Sequence, residues 1–263
     1  MIFKHESDVL EVYSFIFILG AVFGSFLNVL ILRLPLEQSL LTSSSCPHCK
    51  TKIPWFYNIP IISFFILKAK CSFCHEKISY QYIVVETLTA LLTLMLFFKL
   101  GWSIDFVMVT LLFYTLIVLA FIDLKYKAVP DYLLLIGFVL VFTATELPMI
   151  EALKNAALFA GAFALLEFVM TFYIQNIKYY FTKDESLKEA QSLGEGDIPI
   201  VAIIGALLGV ASGLTAIFLA ALFAIIPSLY NSIKKQESQT PFIPYLLLGL
   251  GVEYLFSFSK VFN

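Results

Sequence analysis

Residues Ile198 to Ile233 read IPIVAIIGALLGVASGLTAIFLAALFAIIPSLYNSI, 36 positions without a charged side chain. As one helix this run would extend about 54 Å at 1.5 Å per residue, nearly twice the hydrocarbon core of a bilayer at about 30 Å. Gly209 to Gly213 supplies a break, so two membrane helices are expected here. Working outward, apolar stretches lie upstream at 12–32, 82–98, 106–122, 132–148 and 152–174. Another lies downstream at 242–258 and carries only Glu253. The fold class that follows is an all-α polytopic membrane protein of about eight transmembrane helices. The composition agrees: 60% hydrophobic residues and a mean hydropathy of +0.91 exceed the ~45–50% apolar share of a soluble domain.

The first run follows Lys4, His5, Glu6, Asp8 and Glu11. That is not the basic start of a secretory signal, and no small-residue cleavage site follows, so a permanent helix is expected. A net charge of -2 gives no basic field, which argues against a nucleic-acid partner and leaves membrane lipid as the surroundings. Lys and Arg set orientation, because cationic loops stay on the cytoplasmic side. With eight crossings, the loops holding Arg33 to Lys77, Lys125 and Lys127, Lys178 to Lys188, and Lys234 and Lys235 share one side, with 13 of the 17 cations. Lys4, Lys99, Lys154 and Lys260 fall opposite, so both termini are expected outside. The chain then divides into a first helix at 1–34, a polar cytoplasmic segment at 35–81 and a seven-helix membrane core at 82–263.

All four cysteines lie in that polar segment, as Cys46-Pro-His-Cys49 and Cys71-Ser-Phe-Cys74. Two Cys-x-x-Cys turns can bring four thiolates to one tetrahedral Zn2+. Disulfides are the alternative, which a reducing cytosol disfavours. His48 and His75 read as flanking residues rather than ligands. Such tetrathiolate sites are closed and structural, so the metal is expected to staple a segment too small to bury its own core.

Asp123 ends the third helix in Ala-Phe-Ile-Asp-Leu-Lys, and Asp197 opens the sixth in Gly-Glu-Gly-Asp-Ile-Pro. A lone Asp at a helix end is most often a solvated boundary residue or an N-cap. The topology, however, carries both to the same cytoplasmic depth, where two carboxyl groups could share a proton and a water and hydrolyse an amide. Asp197 is at a helix N-terminus and Asp123 at a C-terminus, so the helix dipoles make Asp197 the expected base and Asp123 the acid. Gly194 and Gly196 permit close backbone approach or positive backbone angles, as a peptide cleft needs. Other carboxylates compete: Asp131 as the cap of the fourth helix, Glu195 as a loop neighbour, and Glu86 and Glu167 at membrane depth, where ionisable groups are functional or paired.

Taken together, Gly24-Ser-Phe-Leu-Asn-Val-Leu-Ile-Leu-Arg33-Leu-Pro35, the cysteine pairs around Ile53-Pro-Trp-Phe-Tyr-Asn-Ile-Pro60, the first Asp followed by Val129-Pro-Asp131, Gly194-Glu-Gly-Asp197 and Pro241-Phe-Ile-Pro-Tyr245 resemble the type IV prepilin peptidases nearly end to end. The resemblance implies an enzyme of the bacterial inner membrane that removes a short basic leader, after a glycine, from prepilins or pilin-like secretion or DNA-uptake precursors (pseudopilins) whose mature part begins with a hydrophobic helix. It maps the family's catalytic aspartates onto Asp123 and Asp197. In the zinc-containing branch it also implies N-methylation of the new terminus with S-adenosylmethionine, and it links Glu86 to that activity. No nucleotide-type glycine loop is visible, and a buried helix–helix hydrogen bond is the other account of Glu86. Two departures stand out: Pro199 where the family commonly has lysine, and Ile243 where glycine is common. The rival functions are a membrane carrier using the acids as a relay, and a platform that docks pilin-like helices without cutting them. A relay predicts acids spread through the membrane depth, whereas the two best aspartates share one face.

Overall fold

The computed structural model describes residues 6–183, 185–188, 194, 196–233 and 241–261. Lys4, His5, Glu195, Lys234 and Lys235, used above, lie outside these. The helices are α1 (Glu6–Arg33), α2 (Ile62–Ile66), α3 (Tyr80–Leu100), α4 (Ile104–Tyr126), α5 (Asp131–Ala144), α6 (Met149–Phe172), α7 (Tyr179–Thr182), α8 (Asp197–Ile233) and α9 (Ile243–Phe256). No strand occurs among the described residues, only the isolated bridges Ser45 with Lys52 and Lys70 with Lys77. Two compact units emerge, Met1–Val118 and Leu119–Asn263, with α4 running through the division.

In the first unit, α1 packs on α3 through Gly20 and Gly24, one helical turn apart on one face. A Cβ on Gly20 would come within 2.8 Å of the Ala90 Cα, and one on Gly24 within 2.7 Å of the Glu86 Cα. Small residues at this spacing let membrane helices approach backbone to backbone, which is how they associate where lipid gives no hydrophobic drive. Ser79 caps α3 by accepting from the Gln81 amide, and Gly101 ends it at φ 60°. Asn28 is buried between the two helices and donates to the carbonyls of Gly24 and Tyr82.

In the second unit, α8 reverses direction. Gly209 alone within it has a non-helical backbone, with φ 76°, which glycine adopts without strain. Gly205 and Gly213 on either side of it both pack against Phe159 of α6. Beyond the break α8 runs antiparallel to α9: Ser212 hydrogen-bonds Ser259 at 3.1 Å, Gly249 is pressed against Ala216 and Ala220, and Ile243 reaches back to Gly196 at the start of α8. The Thr145 hydroxyl donates to the Ala206 carbonyl at 2.9 Å, satisfying a backbone group freed near the break. Counting the two arms of α8 separately, eight apolar helices occur among the described residues, in keeping with the number the sequence predicts.

Lengths differ from expectation at two places. The stretch 132–148 yields a helix of only 14 residues, about 21 Å, because Thr145 turns outward and Pro148 starts the next helix. By contrast α6 continues through a wider π turn, Tyr173–Lys178, in which Asn176 donates to the Phe172 carbonyl.

Candidate active site and metal centre

Asp123 and Asp197 both belong to the second unit and both are buried, 9% and 4% exposed. Asp123 lies in the last turn of α4, and its Oδ2 accepts the Ile243 amide at 3.3 Å. Asp197 is the first residue of α8; its Oδ2 accepts the Gly194 amide at 3.0 Å while its own amide donates to the Gly194 carbonyl at 3.0 Å. Each carboxylate therefore holds one main-chain N–H. Like-charge interaction reaches Asp197 from Asp123 first and Glu167 second.

Among the described residues the positive-φ glycines are Gly101 and Gly209; at Gly194 and Gly196 what counts is the space that a side chain would need. A Cβ on Gly196 would stand 2.5 Å from Val129 Cγ2 and 3.2 Å from Ile243 Cδ1; one on Gly194 would stand 3.3 Å from Asp197 Oδ2. Val129 and Leu134 bracket the start of α5, so α5, α8 and α9 all begin around the aspartates. Helix N-termini present free amides and positive dipole ends, which favour anions and oxyanions there. Pro199 lies in the first turn of α8, where no amide hydrogen is required.

One expectation is corrected. Asp131 does not cap its helix: Pro130 occupies the N-cap position, with φ -68° and ψ 128°, no side chain caps that end, and Asp131 is the first helical residue. Glu195 lies outside the described residues. What the sequence did not disclose is the contact of Ile243 with Asp123, because a main-chain amide leaves no residue-type signal. Equally hidden is Glu253, 2% exposed, which accepts from the Ser259 amide and hydroxyl and ties the chain after α9 back to that helix.

In the first unit the four cysteines converge, all sulfurs lying within 4.8 Å of one another; the group contains neither His48 nor His75. Each pair forms the same knuckle. Cys46 N donates to the Thr51 carbonyl and Lys50 N to the Cys46 carbonyl; Cys71 N donates to the Glu76 carbonyl and His75 N to the Cys71 carbonyl. Lys50 and His75 adopt φ 59° and 58°, and the bridges fall at matching positions. Cys46 and Cys74 sulfurs are 3.8 Å apart, far beyond a disulfide bond. That distance equals the edge, about 3.8 Å, of a tetrahedron with Zn–S bonds of about 2.3 Å. Hydrogen bonds with the Thr51 side chain and then its backbone hold the Cys49 thiol down to about 6. Cys74 is pushed up to about 11 by burial and the neighbouring thiols, against the pull of the Glu76 backbone. Four sulfurs gathered in one place suit a divalent cation that stabilises them all as thiolates.

Glu86 is also in this unit, buried at 7% exposure. Its Oε2 accepts the Ile61 amide at 2.7 Å, and Ser25 is a second hydrogen-bond partner. Ile61 has φ 63° and ψ -53°, and the following amide donates to the Pro60 carbonyl. This is a γ-turn of the rare, strained kind, centred on a β-branched residue. Asn28 Oδ1, buried nearby on α1, has no hydrogen-bond partner among the described residues.

Fold and site together define a polytopic membrane protein whose facing helices hold a buried pair of aspartates, with a four-cysteine module at its N-terminal side. Residues 18–100 match the Bacterial Peptidase A24 N-terminal domain and residues 110–229 the Type IV leader peptidase family, and the chain belongs to that family. It is 32% identical over 207 residues to the prepilin leader peptidase/N-methyltransferase of Klebsiella pneumoniae, covering 74% of this chain and 85% of the relative. The Vibrio cholerae protein of the same name is 28% identical over 95% of this chain and 96% of its own length. A third, from Myxococcus xanthus, is 35% identical over 199 residues, which is 74% of this chain but 55% of that longer relative. No solved structure matches.

Proposed function

We propose that the protein is a prepilin leader peptidase of the bacterial inner membrane, with Asp123 and Asp197 as its catalytic pair and the site open to the cytoplasm. The observation that carries this is the convergence of the two buried carboxylates, each holding one backbone amide, at the N-termini of three helices. Asp197 takes a proton from a water held between the carboxyls as the water oxygen attacks the scissile carbonyl, and Asp123 gives its proton to the carbonyl oxygen. Collapse returns that proton to Asp123 and breaks the C–N bond, with Asp197 protonating the leaving amine. The Gly194 and Ile243 amides fix the carboxylates against rotation, and the tight packing at Gly196 keeps them in register. A basic leader suits a site in which Asp197 is within electrostatic reach of both Asp123 and Glu167.

The second activity is N-methylation of the new terminus. When bound, S-adenosylmethionine supplies the methyl group; Glu86, Ser25 and the orphaned Asn28 Oδ1 are the polar groups of the N-terminal unit suited to hold it. Zinc fits the four cysteines as a structural staple. The deciding experiment is co-expression with a candidate precursor and intact-mass measurement of the product. Loss of the leader and gain of one methyl group are expected; an uncut precursor that still binds would leave the docking platform.

A further inference from the structure

We infer that the segment between α1 and α3 is anchored in the lipid interface through residues 55–66, with Trp55, Phe56, Ile62, Phe65 and Ile66 entering the headgroup layer. The observation is an inverted pattern of burial. In α2 the one buried residue is Ser63, whose hydroxyl donates to the Phe56 carbonyl and accepts the Ile59 amide. Three of its four apolar side chains point out, Ile62 54%, Phe65 67% and Ile66 69% exposed, and Trp55 is 79% exposed. A water-facing helix has the reverse arrangement, and a contiguous exposed apolar patch marks an interaction surface.

Three features select lipid as the occupant. The segment is tethered at both ends to membrane helices, at Arg33 and Tyr80, so its apolar side is never far from the leaflet. Its composition of Trp, Tyr and Phe is that of the interfacial belt, where an amphipathic ring is most favourable. The exposed charge of the same segment is cationic: Lys50, Lys52, Lys68, Lys70 and Lys77 are exposed against Glu37 and Glu76, which complements anionic headgroups. The γ-turn at Ile61 directs the chain so that Ser63 turns inward and Ile62, Phe65 and Ile66 outward.

The chain has two tryptophans, which makes the test direct. The full-length protein is placed in nanodiscs of phosphatidylglycerol and phosphatidylcholine with brominated acyl chains, and Trp102→Phe isolates Trp55. Trp55→Phe gives the same contribution by difference if the first variant is poorly folded. Trp55 emission quenched by the bromines and shielded from acrylamide is expected, with both effects lost several-fold in Phe65→Ser/Ile66→Ser. Trp55 open to acrylamide and indifferent to bromine overturns the inference. Shielding from acrylamide without bromine quenching overturns it too, since protein, whether a second copy or a precursor, then covers the patch.

Discussion

The backbone amide of Ile243 donates to the carboxylate of Asp123 across 3.3 Å, joining positions far apart in the chain by a group that every residue except proline carries. Position 243 is the first residue of α9, where proline fits the helix. Ile243→Pro therefore deletes the hydrogen bond, and Ile243→Ala, which likewise loses the buried side chain packed near Gly196 but keeps the amide, is its control. Because Asp123 is the neutral acid of the pair, the bond contributes about 0.5–1.5 kcal/mol, so cleavage should fall roughly two- to tenfold, with Ile243→Ala affected less. Initial rates on a purified precursor in detergent read both.

Asp123→Asn and Asp197→Asn should each reduce cleavage by at least about a hundredfold while membrane insertion is unchanged, because an amide fills neither the acid nor the base role. Asp to Glu should also be severe, since the added methylene moves the carboxyl by about an ångström. Near wild-type processing by either Asn variant would remove that residue from the mechanism.

Gly196→Ala and Gly194→Ala should separate. The first sets a methyl 2.5 Å from Val129 and must displace the start of α8; the second meets only the Asp197 carboxyl at 3.3 Å. Cleavage should drop at least about tenfold in Gly196→Ala, in line with overpacking costs of about 1–3 kcal/mol, and less in Gly194→Ala. Equal losses would argue that the loop acts by flexibility.

For the cysteine module, one metal ion per chain is expected, reduced in Cys46→Ser or Cys71→Ser, with residues 46–80 becoming protease-sensitive. Because thiolates are the ligands, metal content should fall as the pH is lowered. Methylation should suffer more than cleavage, the aspartates being in the other unit. Metal analysis near zero in protein purified without chelator would sink the assignment.

Glu86→Ala releases the Ile61 amide and should impair methylation more than cleavage, seen as an unmethylated product mass. A residue strained to positive φ costs about 1–3 kcal/mol, which glycine avoids, so Ile61→Gly should restore part of the loss in the Glu86→Ala background. A role for Glu86 in ligand binding alone predicts no rescue.

Much of this was legible in the sequence. The apolar runs counted the crossings, and the glycines in the longest run marked its break, because lipid disfavours charge and glycine alone takes a positive φ cheaply. The Cys-x-x-Cys spacing disclosed the cluster because ligand chemistry demands specific residue types. The spacing of Gly20 and Gly24 also carries the close packing of the first two membrane helices. The cap position of α5 falls on Pro130 rather than Asp131, which opens the helix itself. Hidden altogether were contacts made by main-chain groups, Ile243 to Asp123 and Ile61 to Glu86, for which no side chain is selected. The inward Ser63 escaped because a five-residue helix is too short to show a period.

Gly209 lies at the far end of the first arm of α8 from Asp197, yet it decides whether Asp123 receives its partner amide. Between Asp123 and Ile243 the chain passes through α5, α6 and α8. Were α8 a single crossing, the count would be odd and α9 would enter the bilayer upside down, with Ile243 on the other face. The reversal at Gly209 makes the count even. A substitution that straightened this corner would thus be scored as a catalytic defect, although its fault would be one of parity, fixed during insertion and beyond repair by any change near the aspartates.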